Sequence, residues 1–224
     1  MAYDNQMQLV LTPELVLEAY REGLFPMAVN ADSPFIHWVR PDERGQLSIP
    51  GLHIPRRLKD ALRRHDFTIT TDHAFDRVIA ACAQPGPKRP ETWINPSIQK
   101  VFCELHARGH AHSVECWRGD ELVGGIYGLE IGGAFFGESM FSRATNASKI
   151  ALVHLTARLW KAGFTLFDTQ FVNDHLMQFG VFETSHAAYS TALQIAITHK
   201  TNFALAGLSE ESILSDYCAM REKT

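Results

Sequence analysis

Three apolar-rich runs follow one another between residues 110 and 141, separated only by tight turn signals. They read HAHSVECW, ELVGGIYGLEI and AFFGESMF, with turns at Arg118-Gly119-Asp120 and Gly132-Gly133. Runs of this length joined by such short connections turn back on themselves, which predicts an antiparallel meander at the centre of the fold.

Helix signals lie on both sides of it. Thr12-Pro13-Glu14 supplies a hydroxyl cap, a first-turn proline and an acid at the positive dipole end, predicting a helix through LVLEAYREGLF. Pro55 opens another to about Arg64. Asp72 is expected to cap a helix ending at ACA, and Asn95-Pro96 one that Gly109 closes. Asn146 is expected to cap a long helix to Ala162. FIHWV, QLSI and FTITT read as short strands and TLFDTQF as a buried one; VNDHLMQF reads as a short helix and HAAYSTALQIAITHK as a further helix. Residues beyond about 200 give no usable signal. Helices interleaved with strands around a meander define an α+β (mixed α/β) class. Prolines near Pro50 suggest a small N-terminal domain, 1–50, before a larger one, 51–224.

No apolar run approaches the ~20 residues that cross a bilayer. The start, MAYDNQMQLVLTPE, lacks the basic flank and apolar stretch of an export signal. The four cysteines are scattered without CxxC spacing, which fits reduced thiols. The expectation is a cytoplasmic protein with no membrane partner.

The formal net charge of −4 hides an uneven distribution. The stretch RRLKDALRR, residues 56–64, holds five of the 21 basic residues and one of the 25 acids. On a helix its five cations fall within an arc of ~160°, opposite Leu58, Ala61 and Leu62. A face of one sign repels itself unless an anion answers it, so this helix is a candidate phosphate-binding surface rather than merely a solvated one.

TLFDTQF sets Asp168 and Gln170 two residues apart, on one face of a strand, among Leu166, Phe167 and Phe171. A carboxylate in such company needs hydrogen-bond partners, either as a structural residue or as part of a site. Glu138 ends an aromatic strand in GESMFS, which lacks the spacing of a nucleophile elbow. His110 and His112 share a strand face, but no acid or cysteine stands at a spacing that would complete a metal site. Neither a Walker loop nor a strand-linked GxGxxG is present.

Taken in order, AYREGLFP, PDERG, the basic helix after HIPR, ETWINPSI, LHARGHAHSVECWRGDELVGGIYGL, FFGESMFSRATNASKIAL and FDTQFVNDH resemble the bacterial leucyl/phenylalanyl-tRNA–protein transferase family, over about residues 15–190. The resemblance implies a GNAT-like acyltransferase domain behind a small N-terminal one. It implies transfer of Leu, Phe or Met from aminoacyl-tRNA to proteins with N-terminal Lys or Arg, marking them for degradation, with neither cofactor nor metal. By the same resemblance Arg56, Arg63 and Arg64 would hold the tRNA, and Trp93 would lie near the terminal adenosine. Ile126, Phe135, Met140, Leu152, Leu155, Leu159 and Phe167 would surround the donor side chain, with Asp168, Gln170 and Glu138 at the reaction centre. Met27 departs from the pattern, standing where the family usually has a tryptophan. Altered donor or acceptor specificity and a non-catalytic RNA-binding module are the alternatives. A CoA-dependent enzyme would need a glycine-rich loop where this chain has SRAT before Asn146.

Overall fold

The meander forms as expected. In the computed structural model, which describes residues 10–86 and 90–223, β5 (Ala111–Arg118), β6 (Glu121–Ile131) and β7 (Ala134–Ser142) pair antiparallel in sequence order. They lie inside a seven-stranded sheet ordered β4-β5-β6-β7-β8-β3-β9, where β3 is Glu43–Leu47, β4 Thr68–Thr71, β8 Leu166–Gln170 and β9 Phe182–Ser185. Among the described strands only β7 and β8 run parallel. A separate ribbon joins β1 (Phe25–Ala28) to β2 (Ile36–Val39).

Helices cover both faces, so successive strand residues are buried in opposite layers. Tyr127 and Phe136 pack with α1 (Pro13–Arg21), α3 (Phe75–Cys82), α4 (Pro96–Ala107) and α7 (His186–Ala196). Their neighbours Ile126 and Phe135 pack on the other side, with α2 (Arg56–Arg63), α5 (Ala147–Ala162) and α8 (Glu210–Arg221). A short α6 (Asp174–Met177) follows β8.

Several caps differ from expectation. Thr12 and Asn95 do cap α1 and α4, accepting from the Leu15 and Ile98 amides. Asp72 instead takes a left-handed backbone, φ 56°, and turns its carboxylate to the Ser113 amide (2.8 Å) and His112 Nδ1 (2.7 Å); α3 begins at Phe75. Asn146 is also left-handed, φ 68°, and its side chain makes no capping bond. Ser142, at the end of β7, performs that task for α5, its Oγ accepting from the Ser148 amide at 3.3 Å. Gly124 of β6 admits this junction, because a Cβ there would collide with Ala147.

Three elements lie outside the sequence expectation. β1 occupies the stretch around Pro26, and Met27, half-buried within it, faces His37 of β2. β9 forms the sheet edge beside β3. α8 is capped by Ser209 and anchored by Glu210, whose carboxylate takes bonds from Arg158 of α5 and Thr71 of β4. The strand expected around QLSI is β3, which inserts between β8 and β9 rather than pairing with the N-terminal ribbon.

Candidate active site

β7 and β8 pair over only three positions, Ala134–Phe136 against Leu166–Asp168, and then diverge. The divergence opens a cleft of about 1070 Å³. Leu152 of α5, with Met140, Ile126 and Phe167 from the sheet, supplies apolar lining; Trp93 borders the same space, its carbonyl accepting from the Ala28 amide of β1 at 3.2 Å. Glu138, Gln170, Thr169, Asn173 and Asp174 supply polar lining.

Gln170 is where β8 ends, and its backbone is left-handed, φ 58°, a conformation a residue with a Cβ adopts only when its surroundings impose it. Asp168 Oδ1 accepts from the Gln170 amide at 2.8 Å, and the Gln170 side chain donates through Nε2 to Glu138 Oε1 at 3.0 Å. That bond occupies the amide's donor side and leaves Oε1 as its acceptor. β3 passes close by, because Gly45 sits opposite Gln170 where a side chain would meet Thr169 Oγ1 and the backbone beyond Phe171.

Asp168 itself is wholly buried and does not line the cleft. Arg44 Nε donates to both its oxygens (2.9 and 3.0 Å) and Nη2 to Oδ2 (2.7 Å), while the Tyr189 hydroxyl donates to Oδ2 at 2.5 Å. Burial works against the Arg44 charge, but the adjacent carboxylate outweighs it and holds Arg44 above its ordinary value. Burial, and then Asp168, keep the Tyr189 hydroxyl protonated far beyond the usual range. The expectation that Asp168 and Gln170 share a strand face thus gives way to a relay. One is locked in the interior, and its backbone bond helps turn the other toward Glu138.

Burial pushes the Glu138 carboxyl up from 4.5 to about 8, with the Asp168 charge adding to the effect and Arg44, Gln170 and Tyr20 opposing it. The Tyr20 hydroxyl adjoins this carboxyl from within the core without reaching hydrogen-bond geometry, and burial raises it well above its ordinary value. Folded protein therefore holds a proton on Glu138 that unfolded chain releases between about pH 4.5 and 8, and stability falls as pH rises through that window. Glu138→Gln removes this dependence. Its melting temperature should match wild type near pH 4.5 and exceed it by a growing margin up to about pH 8; parallel melting curves across the range would refute the buried-carboxyl assignment.

Of the residues expected around a donor pocket, Ile126, Met140, Leu152 and Phe167 line the cleft. Phe135, Leu155 and Leu159 are buried and do not line it; Phe135 meets Phe167 edge-on at 5.9 Å. Arg56 and Arg63 of α2, and Arg64 just after it, project into solvent, with the helix anchored by buried Leu58 and Ala61. Arg63 and Arg64 are paired with exposed Asp60 and Asp66 at 3.3 and 3.0 Å. His112 lies between Asp72 and Glu130 and stacks on Phe203 at 4.0 Å, and burial is outweighed by the two carboxylates, which raise it to about 9. Among the described residues no three His, Cys, Asp or Glu side chains gather to hold a metal ion. The sequence reading missed Arg44, Tyr20, Tyr189, Asn173 and Asp174. The only advance signal for Arg44 was its place in PDERG.

A cleft with apolar lining and an amide–carboxyl pair at its edge suits the class of acyltransferases that bind two substrates side by side. Comparison with known proteins names the group. Residues 47–194 match the family described as leucyl/phenylalanyl-tRNA protein transferase, and residues 10–42 match that enzyme's N-terminal domain. Curated leucyl/phenylalanyl-tRNA–protein transferases from Rhodospirillum rubrum and Hyphomonas neptunium are each 52% identical, over 83% and 85% of this chain and 89% and 74% of their own lengths. That of Rhodopseudomonas palustris is 50% identical over 87% of this chain and 84% of its own. The chain belongs to the leucyl/phenylalanyl-tRNA–protein transferase family, and it is an aminoacyltransferase.

Proposed function

We propose that this chain moves leucine or phenylalanine, and also methionine, from aminoacyl-tRNA to the N-terminal Lys or Arg of acceptor proteins, which marks them for degradation. The observation that carries the reading is the Gln170–Glu138 pair, 3.0 Å apart, bordering the same cleft as Leu152, Met140 and Phe167. The apolar lining receives the donor side chain and disfavours polar ones, though a single methylene is worth only ~1–3 kcal/mol of discrimination. In this reading Trp93, which borders the cleft, stacks on the terminal adenosine, and the cations on and just after α2 meet the acceptor stem.

The donor ester is already activated, so holding it against a neutral α-amine supplies much of the acceleration. The amine nitrogen attacks the ester carbonyl carbon, the new C–N bond forms, and the bond to the ribose oxygen breaks. The departing oxygen takes up the proton the amine loses. Gln170 Oε1 accepts a hydrogen bond from the attacking amine and aims it; a neutral amide is too weak a base to remove the proton itself. Glu138 faces a cation, either the donor ammonium or the acceptor's basic side chain, and a bound cation favours its ionised form. Among the described residues no helix is long and apolar enough to cross a membrane.

The test is transfer of labelled Leu or Phe from charged tRNA to a reporter beginning with Arg or Lys. Wild type should transfer; Gln170→Ala should lower kcat by about 100-fold, the scale of a misplaced reactant, with little change in KM. Absence of transfer by wild type with Leu, Phe and Met donors would overturn the reading, and full activity in Gln170→Ala would remove Gln170 from the chemistry.

A further inference from the structure

Three of the five hydrogen bonds that the Asp168 carboxylate accepts come from Arg44, and the others from Tyr189 and the Gln170 amide. Arg44 makes three hydrogen bonds to the carboxylate, and its remaining terminal nitrogen, Nη1, donates to the Gly23 carbonyl at 2.8 Å. Gly23 lies just past the end of α1, in the segment that matches the family's N-terminal domain. The guanidinium carbon lies 4.8 Å from the Phe25 ring of β1 and 4.6 Å from the Tyr189 ring of α7. It is 1% exposed. A buried guanidinium hydrogen-bonded at both ends and packed against two rings is held in place.

We infer that Arg44 is a positioning residue for the transfer reaction, transmitting the placement of the N-terminal segment through Asp168 to Gln170. The inference rests on the function proposed above. Its physical content is a chain of fixed contacts. The Gly23 carbonyl and the two rings fix Arg44; Arg44 and Tyr189 fix the Asp168 carboxylate. Asp168 Oδ1 then holds the Gln170 amide in its left-handed turn, which directs the side chain to Glu138. With its lone pairs taken up by Arg44, Tyr189 and the Gln170 amide, Asp168 has no capacity to bind substrate. It serves the reaction through Gln170. The N-terminal segment thereby affects the chemical step as well as whatever it binds.

Arg44→Lys keeps the buried charge but replaces a rigid fork by a flexible single ammonium that cannot span Asp168 and Gly23 together. Tyr189→Phe removes one bond to the same carboxylate with little change in packing, and it keeps the inference testable should Arg44→Lys fold poorly. Wild-type transfer is measured alongside, so failure of the proposed function would be visible as an inactive wild type. In an active enzyme, Arg44→Lys should reduce kcat by about 100-fold while KM for aminoacyl-tRNA stays within about twofold. Tyr189→Phe should reduce kcat by a smaller factor. In a Gln170→Ala background both substitutions should cost almost nothing further, because the relay's last member is already gone. Wild-type kcat in folded Arg44→Lys and Tyr189→Phe would overturn the inference, and so would losses that multiply with that of Gln170→Ala.

Discussion

Asp168→Ala is expected to unfold at a temperature roughly 10 °C or more below wild type and to lose transfer even where it is folded. The carboxylate is the sole partner of three Arg44 hydrogen bonds in a fully buried setting. Removing one member of such a pair leaves the other charge without compensation, which costs about 3–5 kcal/mol. In a chain of this size each kcal/mol moves the midpoint by about 2–4 °C. The Gln170 amide loses its acceptor at the same time, and the left-handed turn loses the contact that offsets its strain. Thermal unfolding and single-turnover transfer, the latter well below the variant's midpoint, check both halves. A variant with wild-type stability would mean that the Arg44–Asp168 pair is not what holds β3 to β8.

Reversing Arg56, Arg63 and Arg64 to glutamate should leave the fold intact and raise KM for aminoacyl-tRNA by more than about 100-fold. All three side chains are solvent-exposed, and α2 is held by Leu58 and Ala61. The pairs with Asp60 and Asp66 are exposed ones, which contribute about 0–1 kcal/mol and yield readily to phosphate. Each lost phosphate contact lowers the slope of log affinity against log salt by about 0.7–0.9, so the triple variant should lose about two to three in slope. Single-turnover rate at saturating tRNA should be unchanged. A variant with wild-type salt dependence would place the RNA elsewhere on the surface.

What could be read from the sequence follows from how far apart the interacting residues lie. The meander was legible because its apolar runs and its two turns are local. Glu138 and Gln170 were legible as polar residues set in aromatic strands. Leu152, Leu155 and Leu159 share a helical face, but spacing alone does not say which turn of α5 reaches the opening, and only Leu152 does. Arg44 was illegible as a site residue: nothing local around it points to chemistry, and its partner stands 124 residues away. Tyr189 sits in a helix whose sequence gives no hint that its hydroxyl meets a carboxylate. β9 has four residues, mostly exposed, and so carries no burial pattern. α8 opens on a buried acid, Glu210, which hides its apolar face from any reading that expects charge outside. The displaced caps at Asp72 and Asn146 have the same origin, since the Ser113 amide and Ser142 Oγ come from strands rather than from the helix being capped.

The slot that β3 fills sets the order in which this chain can become complete. β3 is made early, yet both its neighbours, β8 and β9, come more than a hundred residues later. During synthesis the N-terminal ribbon and β3 must wait without their final partners while the meander, whose pairings are local, assembles first. Long-range pairings of this kind close slowly, because the loop entropy is spent before the contacts reward it. The amide turn that forms the reacting edge lies on one of these long-range pairings, β8 with β3, so a nascent chain acquires its local meander before it acquires its activity.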